Sequence, residues 1–70
     1  MDYYEAREII QMKLRGSCRS DVSEGANISP NTYDRWVNGL VVKPSLTVFV
    51  KLCIYYNIDV DIASLKELLE

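Results

Sequence analysis

Residues 29–39 read Ser-Pro-Asn-Thr-Tyr-Asp-Arg-Trp-Val-Asn-Gly, and this stretch decides the fold. Ser29 is a favourable N-cap, and Pro30 follows it at the first helical position, where proline is over-represented. The closing Asn-Gly pair is a common helix exit. Tyr33 and Trp36 lie three residues apart, so they share one side of the predicted helix. The stretch therefore predicts a short helix with an aromatic buried face.

The opposite face of this helix is polar. It carries Asn31, Arg35 and Asn38 at helical spacing, flanked by Thr32 and Asp34. Arginine can bond guanine, and asparagine can bond adenine, through paired hydrogen bonds, so such a face suits the major groove of DNA. The cap serine and the free amides at the helix start are suited to hold a phosphate. The alternative interpretation is a solvated face without a ligand, as most polar helix faces are.

A second short helix is predicted just before this one, over about residues 18–26, with Cys18, Val22 and Ala26 facing the core. Asn27 follows, and asparagine tolerates the left-handed backbone that a sharp turn between helices needs. Two short helices joined by such a turn form a helix-turn-helix, here over about residues 18–38. Gly25 is either a weak point in the second helix or part of its exit.

Three further helices complete the prediction. The first spans about residues 2–14, with Asp2 as its cap and Gly16 at its end. The fourth begins after Ser45 and ends at Asn57, and the last spans about residues 61–69. Strand-like alternation is missing, so we expect an all-α bundle of five helices. The predicted inward faces are Ala6, Ile10 and Leu14 in the first helix, and Leu46, Phe49, Val50 and Cys53 in the fourth. In the last helix, one side carries Ile62, Leu65, Leu68 and Leu69.

The composition is that of one small folded domain, which we place at residues 1–70. The chain is 49% hydrophobic and 26% charged, as in ordinary globular proteins. Its net charge of −2 is unfavourable for nucleic-acid binding, but the charges are unevenly distributed. Residues 7–51 contain seven basic and four acidic side chains. A basic body with acidic ends can still present a positive face.

Enzymatic chemistry is not indicated. The chain has no histidine, no glycine-rich phosphate loop and no carboxylates paired in an apolar setting, so we expect no catalytic residue, cofactor, metal or small-molecule substrate. Cys18 and Cys53 are expected to be free, buried apolar side chains, with a disulfide as the alternative. No apolar run is long enough to span a membrane, and the acidic start lacks a secretory signal, so we expect a cytoplasmic protein without a membrane partner.

Residues 18–58 resemble the Cro/CI-type helix-turn-helix repressors of phages and bacteria. The residues that carry the resemblance are Arg19-Ser20-Asp21-Val22-Ser23, Asn27-Ile28-Ser29, Thr32 to Gly39, and Pro44-Ser45-Leu46 followed by Phe49, Val50, Lys51, Cys53, Tyr56 and Ile58. The sequence departs from the family pattern at Ser23, where alanine is usual, and at Asn27 and Asn57, where glycine is usual. The resemblance implies a λ-repressor-like bundle that binds DNA as a dimer.

The resemblance and the polar face together give two sets of expected DNA contacts. Base edges are expected to be read by Pro30, Asn31, Thr32, Asp34 and Arg35. Backbone phosphates are expected to be held by Arg19, Ser20, Ser29, Asn38 and Lys43.

The fourth helix is apolar on two sides, which suggests a dimer interface. Opposite its predicted inward face lie Val48, Leu52 and Tyr55, which need a cover of their own. We expect these three, with Leu65, Leu68 and Leu69 of the last helix, to face a second copy of the chain. The alternative is that this helix is simply the centre of a monomeric bundle.

The sequence thus predicts a regulator that binds double-stranded operator DNA as a homodimer, such as a Cro-like repressor of a phage or mobile element. One alternative is the controller of a restriction or toxin–antitoxin operon. Another is a protein-interaction module, such as an antirepressor, which the acidic balance favours.

Overall fold

The computed structural model describes residues 1–68, apart from the side chains of residues 62 and 67. Four α-helices follow one another: α1 (Tyr3–Arg15), α2 (Arg19–Gly25), α3 (Pro30–Val37) and α4 (Leu46–Tyr56). The segment Ile62–Leu68 is a 3₁₀ helix, and residues 1–68 contain no strand. The all-α prediction therefore holds for the described chain, whereas the count of five α-helices is not confirmed.

The predicted caps of three helices are confirmed. The Asp2 side chain accepts a hydrogen bond from the Glu5 amide at 2.9 Å. Ser29 Oγ accepts from the Thr32 amide at 3.1 Å, and Ser45 Oγ accepts in the same way at the start of α4. These caps satisfy amides that a helix start leaves without partners, so the helices begin close to where the sequence predicts.

Left-handed backbone occurs at the expected turns. Asn27, between α2 and α3, and Asn57, after α4, both have φ of 56°. Gly39, after α3, has φ of 69°. Asparagine and glycine tolerate this region better than other residues, which confirms the predicted role of each at a helix exit.

The core lies between α1, α3 and the buried side of α4. Tyr33 and Trp36 are buried, as predicted, and only 3% of the Trp36 surface is exposed. The hydroxyl of Tyr33 lies 2.8 Å from the Leu14 carbonyl oxygen and 3.1 Å from that of Ser17, and it can donate to either. The tyrosine thereby attaches α3 to the end of α1.

The faces of α4 differ from the prediction. Leu52 is completely buried within the chain, so its assignment to a dimer interface is wrong. Val50, predicted to face inward, is only half-buried. Leu52 belongs to the buried core with Phe49, whereas Val50 lines an open groove beside Ile54. Gly25 of α2 contacts α4 at Tyr55, where a Cβ on the glycine would overlap the tyrosine ring, although Tyr55 stays 37% exposed.

The two cysteines are free but lie in different environments. Cys53 is buried, as predicted, and burial raises the pKa of its thiol. Cys18 is exposed, so the prediction that it is buried is wrong. It occupies the N-cap of α2, one position before the helix turns its residues toward the core. A hydrogen bond with Ser20 is the main cause that lowers the Cys18 pKa, and backbone amides at the helix start add to it.

The contact between Gly25 and Tyr55 predicts that Gly25→Ala destabilises the wild type but stabilises a variant without the Tyr55 ring. Gly25→Ala forces the Tyr55 ring outward and should lower the free energy of unfolding by about 1 kcal/mol, the low end of the range for overpacked sites, because the ring is 37% exposed and can move. In a Tyr55→Ala background the same substitution should stabilise by up to about 1 kcal/mol, because alanine favours helix. Urea unfolding followed by circular dichroism measures both.

Gly16→Ala is the matched control for this comparison. A Cβ at Gly16 meets only the Lys13 carbonyl oxygen at 3.8 Å, and its φ of −95° suits alanine. The variant should therefore unfold close to the wild type. If Gly25→Ala changes the free energy of unfolding equally in the wild type and in Tyr55→Ala, the Tyr55 ring is not the cause of the destabilisation.

Ser23 provides a second stability prediction. Its Oγ is buried and has no hydrogen-bond partner within residues 1–68. A buried hydroxyl without a partner costs about 1–3 kcal/mol, so Ser23→Ala should raise the free energy of unfolding. The exposed Glu24 on the same helix gives the control, since Glu24→Ala changes helix propensity without relieving such a cost. A Ser23→Ala variant less stable than the wild type would refute this interpretation.

Candidate nucleic-acid interface

The polar face of α3 is open to solvent. Because Tyr33 and Trp36 are buried, the helix has to turn the opposite side outward. Asn31 and Arg35 are both exposed, and neither side chain makes a hydrogen bond or ion pair within the described chain. Their donors and acceptors are therefore available to a ligand.

Other predicted contact residues at the ends of α3 are engaged in holding the helix. Ser29 is exposed, and its hydroxyl caps the Thr32 amide and lies 2.8 Å from the Thr32 hydroxyl. Asn38 Nδ2 donates to the Asp34 carbonyl oxygen at 2.8 Å, which closes the last turn. Pro30 is exposed at the helix start, where it has no amide hydrogen to donate.

An ion pair joins α2 to α3. Arg19 Nε donates to Asp34 Oδ1 at 3.0 Å, and Arg19 Nη2 donates to Asp34 Oδ2 at 2.9 Å. A predicted phosphate contact and a predicted base contact are thus bound to each other. Sequence reasoning missed this pair, since the two residues are 15 positions apart and no local spacing connects them.

The loop after α3 is held by α1. Arg7 Nη1 donates to the Val42 carbonyl oxygen at 3.0 Å and lies 3.2 Å from the Tyr3 hydroxyl. A groove of about 430 Å³ separates this loop from α3, and Arg35 and Lys43 both line it. The structure therefore brings a predicted base contact and a predicted phosphate contact to one groove.

A lysine from α4 holds the turn between α2 and α3 by a hydrogen bond. Lys51 Nζ, from α4, donates to the Asn27 carbonyl oxygen at 3.1 Å. Neither this contact nor the one made by Arg7 was foreseen, because each depends on a carbonyl far away in sequence. Together they hold both ends of the segment that carries the polar face.

This geometry is that of a helix-turn-helix, and the comparisons with known proteins agree. A family model described as "Helix-turn-helix" matches residues 5–62. The chain belongs to the Cro/CI-type helix-turn-helix family. The match takes in α1, which lies outside the resemblance recognised over residues 18–58. The comparisons with curated proteins and with solved structures gave no match.

Membership in this helix-turn-helix family makes the chain a DNA-binding protein of a regulatory type. In the family's helix-turn-helix, α2 is the first helix and α3 the second, which is the one that enters the groove. No helix of the described residues is long and apolar enough to cross a membrane.

The residues predicted for a dimer interface do not form one exposed surface. Leu52 and Leu68 are buried, Val48 and Leu65 are half-buried, and Tyr55 is partly exposed. Leu69 lies outside the described residues. The exposed apolar side of α4 is elsewhere: Ile54 is 75% exposed, beside a groove of about 360 Å³. The apolar side chains that line this groove are Phe49, Val50, Cys53, Ile54, Ile58, Val60 and Leu65.

Proposed function

We propose that this chain is a transcriptional regulator that recognises a specific operator in double-stranded DNA, acts as a dimer and represses a phage or mobile-element promoter. The observation that carries the proposal is the outward face of α3. Asn31 and Arg35 are exposed and without partners in the described chain, while Tyr33 and Trp36 hold the other side of the helix.

The dimensions of α3 fit a major groove. An α-helix with its side chains is about 10–12 Å in diameter, and the major groove of B-DNA is about 12 Å wide. With the helix in the groove, Arg35 can donate two hydrogen bonds to guanine and Asn31 can pair with adenine. Thr32 and Pro30, at the same end of the helix, are placed to contact base edges or methyl groups.

Phosphates would be contacted on both sides of α3. Arg19 and Ser20 begin α2, and Lys43 lies in the loop that α1 holds through Arg7. Ser29 and Asn38 flank α3, but their side chains already serve its two ends. We therefore assign the main phosphate contacts to the cations Arg19 and Lys43.

Two features favour a dimer: the exposed apolar groove beside Ile54 and the negative net charge of the chain. Ile54 and the apolar groove beside it remain open in the monomer, and burial against a second copy would remove this surface from water. A twofold dimer also places two recognition helices on successive turns of DNA. For a chain with a net charge of −2, this doubles the phosphate contacts that each binding event can make.

Arg35 provides the test of sequence-specific binding. A duplex selected from a randomised library by the wild type is compared with a scrambled duplex of equal length. Arg35→Ala should cost about 1–3 kcal/mol on the selected duplex and relax the preference at one base pair. Lys43→Ala should weaken both duplexes alike and flatten the salt dependence, because it loses a phosphate contact.

The matched control is Lys66→Ala, which removes one positive charge from the 3₁₀ helix. It should leave the ratio of selected to scrambled binding unchanged. Equal losses on both duplexes for Arg35→Ala would remove Arg35 as a base contact. A wild type that binds neither duplex would contradict DNA binding and favour the protein-interaction alternative.

Sedimentation tests the dimer. The wild type should sediment as a dimer at micromolar concentrations, and Ile54→Ser should shift it to monomer, because burying an isoleucine contributes about 1.5–3 kcal/mol. Met12→Ser is the control, since Met12 is similarly exposed on α1, at 71%, and lies away from the groove beside Ile54. A wild type that remains monomeric, also on DNA, would exclude the dimer.

A further inference from the structure

Asp34 is an unexpected residue on a helix that meets DNA. It lies in the middle of α3, beside Arg35, where a free carboxylate would repel phosphates. Both of its oxygens, however, accept hydrogen bonds from one guanidinium, that of Arg19. The pair therefore neutralises the carboxylate at this surface.

The geometry leaves one edge of the guanidinium available. A guanidinium has five N–H donors, and Asp34 takes the one on Nε and one on Nη2. Both donors of Nη1 and the second of Nη2 remain, and the Arg19 side chain is 57% exposed. A two-point bond to a planar fork also fixes the direction in which those remaining donors lie.

The pair adds little to the stability of the fold. Both side chains are well exposed, 57% for Arg19 and 44% for Asp34, so water screens their attraction. The packing of α2 on α3 rests instead on buried apolar side chains such as Val22. The main effect of the ion pair is thus on the freedom of the arginine.

We propose that Asp34 is a positioning residue for Arg19: it holds the guanidinium by one edge so that the other edge is presented to a DNA phosphate. This rests on the proposed function of α2 and α3 in DNA binding. It gives Asp34 a role other than the base contact expected from the sequence, since each of its oxygens already accepts a hydrogen bond from Arg19. An ordered arginine loses less side-chain entropy when DNA binds.

The proposal predicts that neutralising Asp34 weakens DNA binding, whereas the loss of a negative charge alone would strengthen it. Removal of an acidic side chain from a DNA-binding surface should, by charge alone, strengthen binding to any duplex. If Asp34 orders Arg19, Asp34→Asn should instead weaken binding about two- to tenfold, the amount expected for one long side chain that must be ordered on binding. Glu24→Gln is the matched control, because it neutralises an exposed acid on α2.

The experiment titrates a labelled mixed-sequence duplex at two salt concentrations with the wild type, Asp34→Asn, Glu24→Gln, Arg19→Ala and Arg19→Ala/Asp34→Asn. Arg19→Ala should weaken binding and reduce the slope of log affinity against log salt concentration by about one, the amount expected for one lost phosphate contact. In the Arg19→Ala background, Asp34→Asn should cause no further weakening, since the side chain that it positions is gone. Thermal unfolding should be nearly the same for all five proteins.

Each other outcome has a definite meaning. Binding by Asp34→Asn that equals or exceeds that of Glu24→Gln overturns the positioning role. An equal loss in both backgrounds also overturns it, because Asp34 would then act independently of Arg19. A loss confined to one base pair of a selected duplex would restore Asp34 as a base contact. A wild type that binds no duplex contradicts the proposed function, and this inference with it.

Discussion

The hydrogen bond from Tyr33 to the end of α1 is the contact on which the remaining arrangement depends. The last carbonyls of a helix lack partners within it; Leu14 lies in the last turn of α1, and Ser17 follows its C-cap, Gly16. The Tyr33 hydroxyl serves these carbonyls from within the core, while the ring and Trp36 remove apolar surface from water. The hydrogen bond and the burial of both aromatic rings are possible in only one orientation of α3 about its own axis. That orientation determines that Asn31 and Arg35 face outward.

Features with local causes could be predicted from the sequence. The caps at Ser29 and Ser45, and the left-handed turns at Asn27 and Asn57, depend on a few neighbouring residues and were correctly placed. The faces of α4 were not, because apolar residues occur all round that helix and periodicity does not choose between its sides. The packed bundle makes the choice: Leu52 joins the core with Phe49, while Tyr55 lies against Gly25 of α2, 30 residues away in sequence, and stays partly exposed.

Part of the candidate site could likewise be predicted from local sequence, and part could not. The residue types on α3 and their common face follow from helical spacing, and the structure exposes them together. The contacts that support the site do not follow from spacing. Arg19 bonds Asp34 across the turn, and Arg7 bonds Val42 across 35 residues, so each needs the packed bundle before it can form. A pattern within one helix carries no information about such partners.

These supporting contacts explain how an acidic chain can serve as a DNA-binding protein. With a net charge of −2, its overall field gives little attraction for a polyanion. Several of its cations are instead bound within the protein: Arg7 holds the loop, Lys51 holds the turn, and Arg19 is held by Asp34. Arg35 is left without such a partner in the described residues. Under the proposed function, affinity would come from a few local contacts, and a cation such as Arg19, which Asp34 already holds, would lose less entropy when it binds. Such contacts would depend on the correct spacing of groups along the duplex more than on total charge, and would thus favour discrimination between sequences over general attraction to DNA.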